Sequence, residues 1–112
     1  MLKKELEKDI EKVLTDGVKK IGGRAYKFVS PGNSGVPDRL VVFRGRAPVF
    51  VELKTRTGKL TELQEMQIER LRSLGQDVRV LYGRDEVLRF LRLQETLQRI
   101  LNEVQGGAGD AV

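Results

Sequence analysis

The chain of 112 residues contains neither cysteine nor histidine. Without cysteine it has no disulfide framework, no thiolate chemistry and no zinc ribbon, a composition that suits a reducing compartment. Without histidine it has no Ser-His-Asp or Cys-His catalysis and no imidazole general base. The chemical groups that remain for a function are carboxylates, lysines and a bound metal ion.

The sequence also lacks any apolar run long enough to span a membrane, and its first ten residues, M-L-K-K-E-L-E-K-D-I, predict a charged helix rather than a signal peptide. We therefore expect a soluble, cytoplasmic protein. The net charge is +5, and the first 83 residues alone carry +6, since residues 84–112 hold four arginines and five acids. A basic body favours a polyanionic partner, nucleic acid first and an acidic membrane second.

The pattern of apolar residues predicts one domain with the element order α-β-β-β-α-β-α. Helical spacing runs from Leu2 to Ile21, where Gly22-Gly23 ends it. The other elements are predicted as strands at 24–29, 37–43, 48–54 and about 78–81, and as helices at 61–74 and about 84–104. We expect a flexible loop at 30–35 and a disordered tail at 105–112.

The third strand, the helix after it and the fourth strand predict a parallel crossover. The fold class is therefore α/β, a mixed β-sheet flanked by helices. Both hairpin strands are apolar throughout, so we expect the sheet to be covered on both faces.

Charged residues nevertheless stand at the ends of this hairpin. Glu52 and Lys54 close the third strand and point to the same face, because side chains alternate along a strand. Asp38 opens the preceding strand, and antiparallel pairing sets it beside them. Two carboxylates and an amine are therefore expected to converge.

Two neighbouring carboxylates repel each other unless a cation lies between them. Mg²⁺ prefers oxygen ligands, so Asp38, Glu52 and the backbone carbonyl of Leu53 predict a half-built octahedral site completed by water and phosphate. Lys54 is then suited to orient a nucleophile, to stabilise negative charge or to help remove a proton. The ordinary alternative is a solvated sheet edge, where such pairs are common; the apolar strands around them favour the metal site.

Several short motifs in one order resemble the PD-(D/E)xK nuclease superfamily, and within it the virus-type replication-repair nuclease branch, the VRR-NUC domain. They are E-K-D-I-E-K-V-L, G-G-R-A-Y-K-F-V-S-P-G, G-V-P-D-R, V-F-V-E-L-K, L-T-E-L-Q with L-R-S-L-G, and V-R-V-L. The likeness covers residues 7–82, and in particular it resembles the small stand-alone phage members. The resemblance implies a restriction-endonuclease-like fold. It also implies that the protein acts in a bacterial or phage-infected cell.

The resemblance also implies Mg²⁺- or Mn²⁺-dependent DNA hydrolysis, with Asp38 and Glu52 as metal ligands and Lys54 as the catalytic lysine. A glutamine of this branch matches Gln64, which as the third residue after Thr61 is equally typical of a capping box. A helical glutamate of the branch, a ligand directly or through water, matches Glu7, with Glu11 one turn later as the alternative. We expect Glu7 to be the more buried of the two.

Four basic residues flank this group and are predicted to contact DNA phosphates: Lys27, Arg39, Arg56 and Lys59. In the last helix, an apolar seam steps through Phe90, Leu93, Leu97, Ile100 and Val104, which favours a homodimer. A two-fold dimer would place two active sites side by side. The resemblance to the small phage members then implies a four-way junction as the leading substrate, as for a Holliday-junction resolvase. The alternatives are a flap-cutting, duplex-cutting or restriction-like nuclease, and a catalytically silent DNA-binding module.

Overall fold

The computed structural model describes residues 5–109, and it describes side chains for residues 5–105. Its elements in chain order are α1 (Glu7–Lys20), β1 (Arg24–Lys27), β2 (Arg39–Val42), β3 (Val49–Lys54), α2 (Glu62–Ser73), β4 (Asp77–Tyr82) and α3 (Gly83–Gly109). The predicted order and the α/β fold class are confirmed.

The four strands form one sheet in the order β1-β2-β3-β4. The first two pairings are antiparallel, and β3 pairs with β4 in parallel, with Glu52 opposite Val80 and Lys54 opposite Tyr82. α2 makes the connection between the two parallel strands. The predicted crossover is therefore present, and it brings the N-terminus of α2 back towards the end of β3 that carries Glu52 and Lys54.

The main core lies between the sheet and the helices α1 and α3. α1 buries a stripe of Ile10, Leu14 and Val18, which recur at helical spacing. From the sheet, β3 contributes alternate residues of one face: Val49, Val51 and Leu53. The helices approach closely because Gly17 has no side chain: a Cβ there would lie 2.3 Å from a methyl carbon of Leu91.

The opposite face of the sheet is covered only in part. α2 lies against β4, and Glu52 on the central strand β3 is buried. Tyr26 on the edge strand β1 is 58% exposed, and Leu40 and Val42 on β2 are only half-buried. The expectation of a sheet covered on both faces is therefore wrong for β1 and β2, because one short helix cannot span four strands.

The ends of two helices also differ from the sequence prediction. α1 begins at Glu7; Leu2, where the apolar pattern starts, lies outside the described residues. α3 continues to Gly109, so residues 105–109, expected in a disordered tail, are helical, and residues 110–112 lie outside the described range. No helix within residues 5–109 has the length and apolar character needed to cross a membrane.

Candidate active site

Asp38, Glu52 and Lys54 converge at one end of the β2–β3 hairpin, as the alternation of side chains predicts. Asp38 is held by the backbone of β3, because the N–H of Leu53 donates a hydrogen bond to its Oδ2 at 3.0 Å. Lys54 Nζ lies 3.8 Å from Oε2 of Glu52. The hairpin therefore supplies two carboxylates and an ammonium group at a single point.

Glu52 is the most buried charged residue of this group, with 1% of its surface exposed. Its Oε2 accepts a hydrogen bond from Gln64 Nε2 at 3.1 Å. Its Oε1 is buried and has no hydrogen-bond partner among the described residues. A buried carboxylate oxygen without a donor is costly, and a bound cation would satisfy it.

Burial first, and then the negative charge of Asp38, raise the pKa of Glu52 to about 8, because the positive charge of Lys54 offsets only part of their effect. A carboxylate in this state is unfavourable at neutral pH in the absence of a cation. An oxygen-preferring divalent ion would relieve both the desolvation and the repulsion. The electrostatics of the pair therefore fit the metal that the sequence predicts.

The donor set is small. Among residues 5–109, no group of three or more Asp or Glu side chains lies close enough together to hold a metal ion. Asp38 and Glu52 would then leave the remaining positions to water, to substrate and to the backbone carbonyl of Leu53. A site of one or two carboxylates with several waters is typical of Mg²⁺.

The two glutamates of α1 occupy different environments. Glu7 is exposed, contrary to the expectation of burial, yet its charge is near enough to contribute to the raised pKa of Glu52. Glu11 is half-buried and forms an ion pair with Arg39. Glu7 thus acts on Glu52 only through its charge, from an exposed position, whereas Glu11 is engaged in holding α1 against β2.

The four residues predicted to bind phosphates also differ in their environments. Lys27, Arg56 and Lys59 are exposed. Arg39 is largely buried and donates to Glu11 and to the carbonyl of Ala25, the latter at 3.1 Å. Its guanidinium thus joins α1, β1 and β2, and the proposed DNA interface does not include it.

Sequence reasoning missed Glu5, which joins three distant segments. Its carboxylate accepts hydrogen bonds from the backbone N–H of Arg56 at 2.7 Å and of Arg84 at 3.1 Å, and these bonds lower its pKa. The start of α1, and with it Glu7, is thereby attached to the loop after β3 and to the start of α3. No local pattern could identify this residue, because its partners lie 51 and 79 positions away.

The loop expected to be flexible is instead attached to α2. Gly35 has a φ of +89°, and a Cβ at this position would lie 2.7 Å from the backbone of Leu63 and 2.9 Å from the N of Gln64. Gln67, which is buried, donates to the carbonyl of Ser34 at 3.3 Å. The loop therefore fixes the distance between Asp38, which follows it, and Gln64.

Known proteins resemble this chain in sequence. The model of the VRR-NUC domain family matches residues 2–85. The chain is 51% identical over 79 residues to "Putative nuclease p44" of Acyrthosiphon pisum secondary endosymbiont phage 1, a match that covers 70% of this chain and 85% of the phage protein.

Two solved structures have the same fold. One, described as a VRR_NUC domain, has a TM-score of 0.72 and 29% identity, covering 77% of this chain and 94% of the other. A second, a VRR_NUC domain protein, has a TM-score of 0.63 at 22% identity, covering 82% and 89%, and supports the fold alone. The chain therefore belongs to the VRR-NUC family of nuclease domains.

Proposed function

We propose that this protein is a metal-dependent, structure-specific endodeoxyribonuclease that cuts branched DNA, with Mg²⁺ or Mn²⁺ as its cofactor. The observation that carries the proposal is the unpartnered Oε1 of the buried Glu52 beside Asp38. A structural carboxylate would be expected to have a donor on each oxygen. Here one oxygen has a donor, and the other is free for a cation.

Each residue then has a role that follows from its contacts. Asp38, Glu52 and the carbonyl of Leu53 would hold the ion, and Glu7 would reach it through water. A divalent ion bound there would supply Lewis-acid stabilisation of the charge that develops on the phosphate oxygens. The ammonium of Lys54, 3.8 Å from Oε2 of Glu52, adds a positive charge beside the same phosphate. Water attacks the phosphorus, the 3′ oxygen leaves, and a 5′ phosphate remains.

Gln64 completes this arrangement as a positioning residue. Its Nε2 fixes one oxygen of Glu52, which leaves the other oxygen available to a cation. The same side chain is part of the capping box of α2, so the helix start and the carboxylate are held by one group.

The preference for branched DNA rests on the proposed homodimer. On α3, Phe90 packs in the core, whereas the next four residues of the apolar seam are exposed: Leu93, Leu97, Ile100 and Val104. They step by four, three and four along the helix, which is a repeat that a second copy of the same helix can match. Two copies related by a two-fold axis would present two sites to the two strands of a four-way junction.

Cleavage by a matched pair of variants tests the proposal. Labelled four-way junction, linear duplex and flap DNA are incubated with Mg²⁺ or Mn²⁺ and with the wild type, Asp38→Asn or Asp16→Asn. Asparagine at position 38 can still accept the hydrogen bond from Leu53 but loses the charge. Asp16, which pairs with Lys12 on the exposed side of α1, controls for the change of one acid to an amide.

We expect paired, symmetric cuts in the junction by the wild type and by Asp16→Asn, and none by Asp38→Asn. Metal-dependent cutting of the flap or the duplex alone would retain the chemistry and reject the junction, as for a restriction-like or flap-cutting enzyme. DNA binding without any cleavage would reject the nuclease and favour a silent binding module.

A further inference from the structure

The exposed faces of β1 and β2 carry basic and aromatic side chains that the proposed chemistry does not use. Arg24 pairs with Val42 and Tyr26 with Leu40, so these four side chains share the face turned away from α1 and α3. A cavity of about 200 Å³ opens on this face. We call it the β1–β2 pocket; it is lined by Gly22, Gly23, Arg24, Tyr26, Val42, Phe43 and Arg44.

The chain segment that contains every residue of this pocket is strongly basic. Residues 17–51 contain seven basic side chains and a single acid, Asp38. Neither Arg24 nor Arg44 has an ion pair with any side chain of residues 5–105. Free guanidinium groups without nearby carboxylates attract a polyanion, and arginine binds phosphate in a bidentate manner.

The pocket lies on the same face of the sheet as the candidate active site. Asp38 directly precedes β2 and is four residues from Val42, which corresponds to about 13 Å at a rise of about 3.3 Å per residue. B-form DNA advances about 3.4 Å per base pair, so this separation matches about four base pairs. Tyr26, opposite Leu40, lies between the carboxylates and Arg24 along the sheet.

We propose that the β1–β2 pocket binds the sugar-phosphate backbone of duplex DNA about four base pairs from the bond that is cut. Arg24 and Arg44 bind phosphates, and the ring of Tyr26 packs against a deoxyribose between them and the active site. This inference rests on the proposed DNA cleavage and extends it. According to this proposal, one duplex arm lies across the part of β1 and β2 that α2 leaves uncovered. The predicted DNA-binding residues Lys27, Arg56 and Lys59 do not indicate this surface.

The salt dependence of DNA binding tests this proposal. The variants are Arg24→Gln combined with Arg44→Gln, Tyr26→Ala, and Arg70→Gln as the control, an exposed arginine on α2. All are made in the Asp38→Asn background, so that binding is measured without cutting, and the affinity for labelled duplex and junction is followed over a range of salt concentrations.

We expect the double arginine variant to bind roughly tenfold more weakly and to lower the slope of log K against log salt by about 2, since each phosphate contact contributes about 1. Tyr26→Ala should weaken binding with an unchanged slope, because it removes no charge. Arg70→Gln should change neither quantity. In the otherwise wild-type chain, the double variant should raise KM and leave kcat unchanged.

An unchanged slope in the double variant, or an equal change of slope in Arg70→Gln, would show that the pocket does not bind DNA. If the wild type still cut DNA, the proposed nuclease function would be unaffected by that result. If the wild type cut no DNA but the slope still fell by about 2, the pocket would stand and the nuclease would not. Circular dichroism and the unfolding temperature of each variant exclude a folding defect as the cause.

Discussion

Gln64 bonds at both ends: its Nε2 donates to Oε2 of Glu52 at 3.1 Å, and its Oε1 accepts from the backbone N–H of Thr61 at 2.9 Å. The two roles that the sequence left open, a capping residue and a site residue, are therefore compatible. The geometry predicts that they can be separated by mutation.

Thr61→Ala removes the cap hydroxyl, which accepts from the N–H of Gln64 at 3.1 Å, but leaves the bond to Glu52. It should cost about 1 kcal/mol of stability and little activity. Gln64→Ala should cost a similar free energy of unfolding and lower kcat at least tenfold. Urea unfolding and cleavage rates measure the two effects. Equal activity in the two variants would reduce Gln64 to a capping residue.

Glu52→Gln should stabilise the metal-free protein, and more so at high pH. The pKa of Glu52 is raised from its ordinary 4.5 to about 8 in the fold. The folded state therefore retains a proton that the unfolded chain has lost, so stability falls as pH rises from about 4.5 to about 8 and is level above that. We expect the variant to lack this decline and to gain on the order of a few kcal/mol at pH 8.5.

The measurement is chemical unfolding from pH 4.5 to 9 in the presence of a chelator. Adding Mn²⁺ should then stabilise the wild type at pH 8 and leave Glu52→Gln unaffected, because a ligand that binds only the folded state raises its stability. A wild type whose stability does not respond to Mn²⁺ or Mg²⁺ would contradict the assignment of the metal ligands.

Glu7→Gln and Glu11→Gln should affect different properties, the first cleavage and the second stability. Glu7 is exposed, and its charge acts on Glu52, so we expect its loss to lower cleavage about tenfold with little change in stability. Glu11 pairs with Arg39, and its loss should cost about 1–2 kcal/mol, since the pair is only partly shielded from water. Cleavage at saturating metal, together with urea unfolding, distinguishes the two. The reverse assignment would follow if Glu11→Gln lost activity at unchanged stability.

Gly35→Ala should be much more damaging than Gly32→Ala. Both glycines have positive φ angles, +89° and +81°, so each substitution costs about 1 kcal/mol from the backbone alone. Only at position 35 does the new methyl group meet backbone atoms of α2, at 2.7 Å. We expect this variant to lose at least about 2 kcal/mol more than Gly32→Ala and to lose cleavage. If urea unfolding gave similar midpoints for Gly35→Ala and Gly32→Ala, the loop would be able to move away from α2 without loss of stability.

Leu97→Lys should convert the proposed dimer into a monomer. The side chain is exposed in the single chain, so lysine should leave the stability of the monomer unchanged. Leu74→Lys, at a more exposed leucine directly after α2, is the control. Sedimentation equilibrium should give twice the chain mass for the wild type and for Leu74→Lys, and the single chain mass for Leu97→Lys. A wild-type monomer would remove the argument for paired cuts.

The sequence predicted the parts of the site that lie close together along the chain. Glu52 and Lys54 follow from alternation on one strand, and Asp38 follows from the adjacent hairpin strand, so local periodicity sufficed. The fold class followed in the same way, from the spacing of helices and strands. Patterns with a fixed period and short connections are what a single sequence reveals most directly.

Contacts between distant segments were not predictable in this way. Arg39 looked like a free basic residue because nothing in the sequence indicated that Glu11, 28 positions earlier, would face it across α1 and β2. The exposure of Tyr26 was not predictable for a related reason. The length of α2 determines how many strands this helix covers, and the apolar content of the strands does not indicate that number. Gly35 was read as a flexible turn, although its lack of a side chain permits a close contact.

The contacts of Glu5 have a consequence for the order of folding. Its two hydrogen bonds close loops of 51 and 79 residues, and they need the end of β3 and the start of α3 to be in place already. Contacts of such high sequence separation carry a large cost of loop closure, so we expect the segment that carries Glu5 to dock late. Protection of the Arg56 and Arg84 amides from hydrogen exchange should therefore appear only in the finished domain.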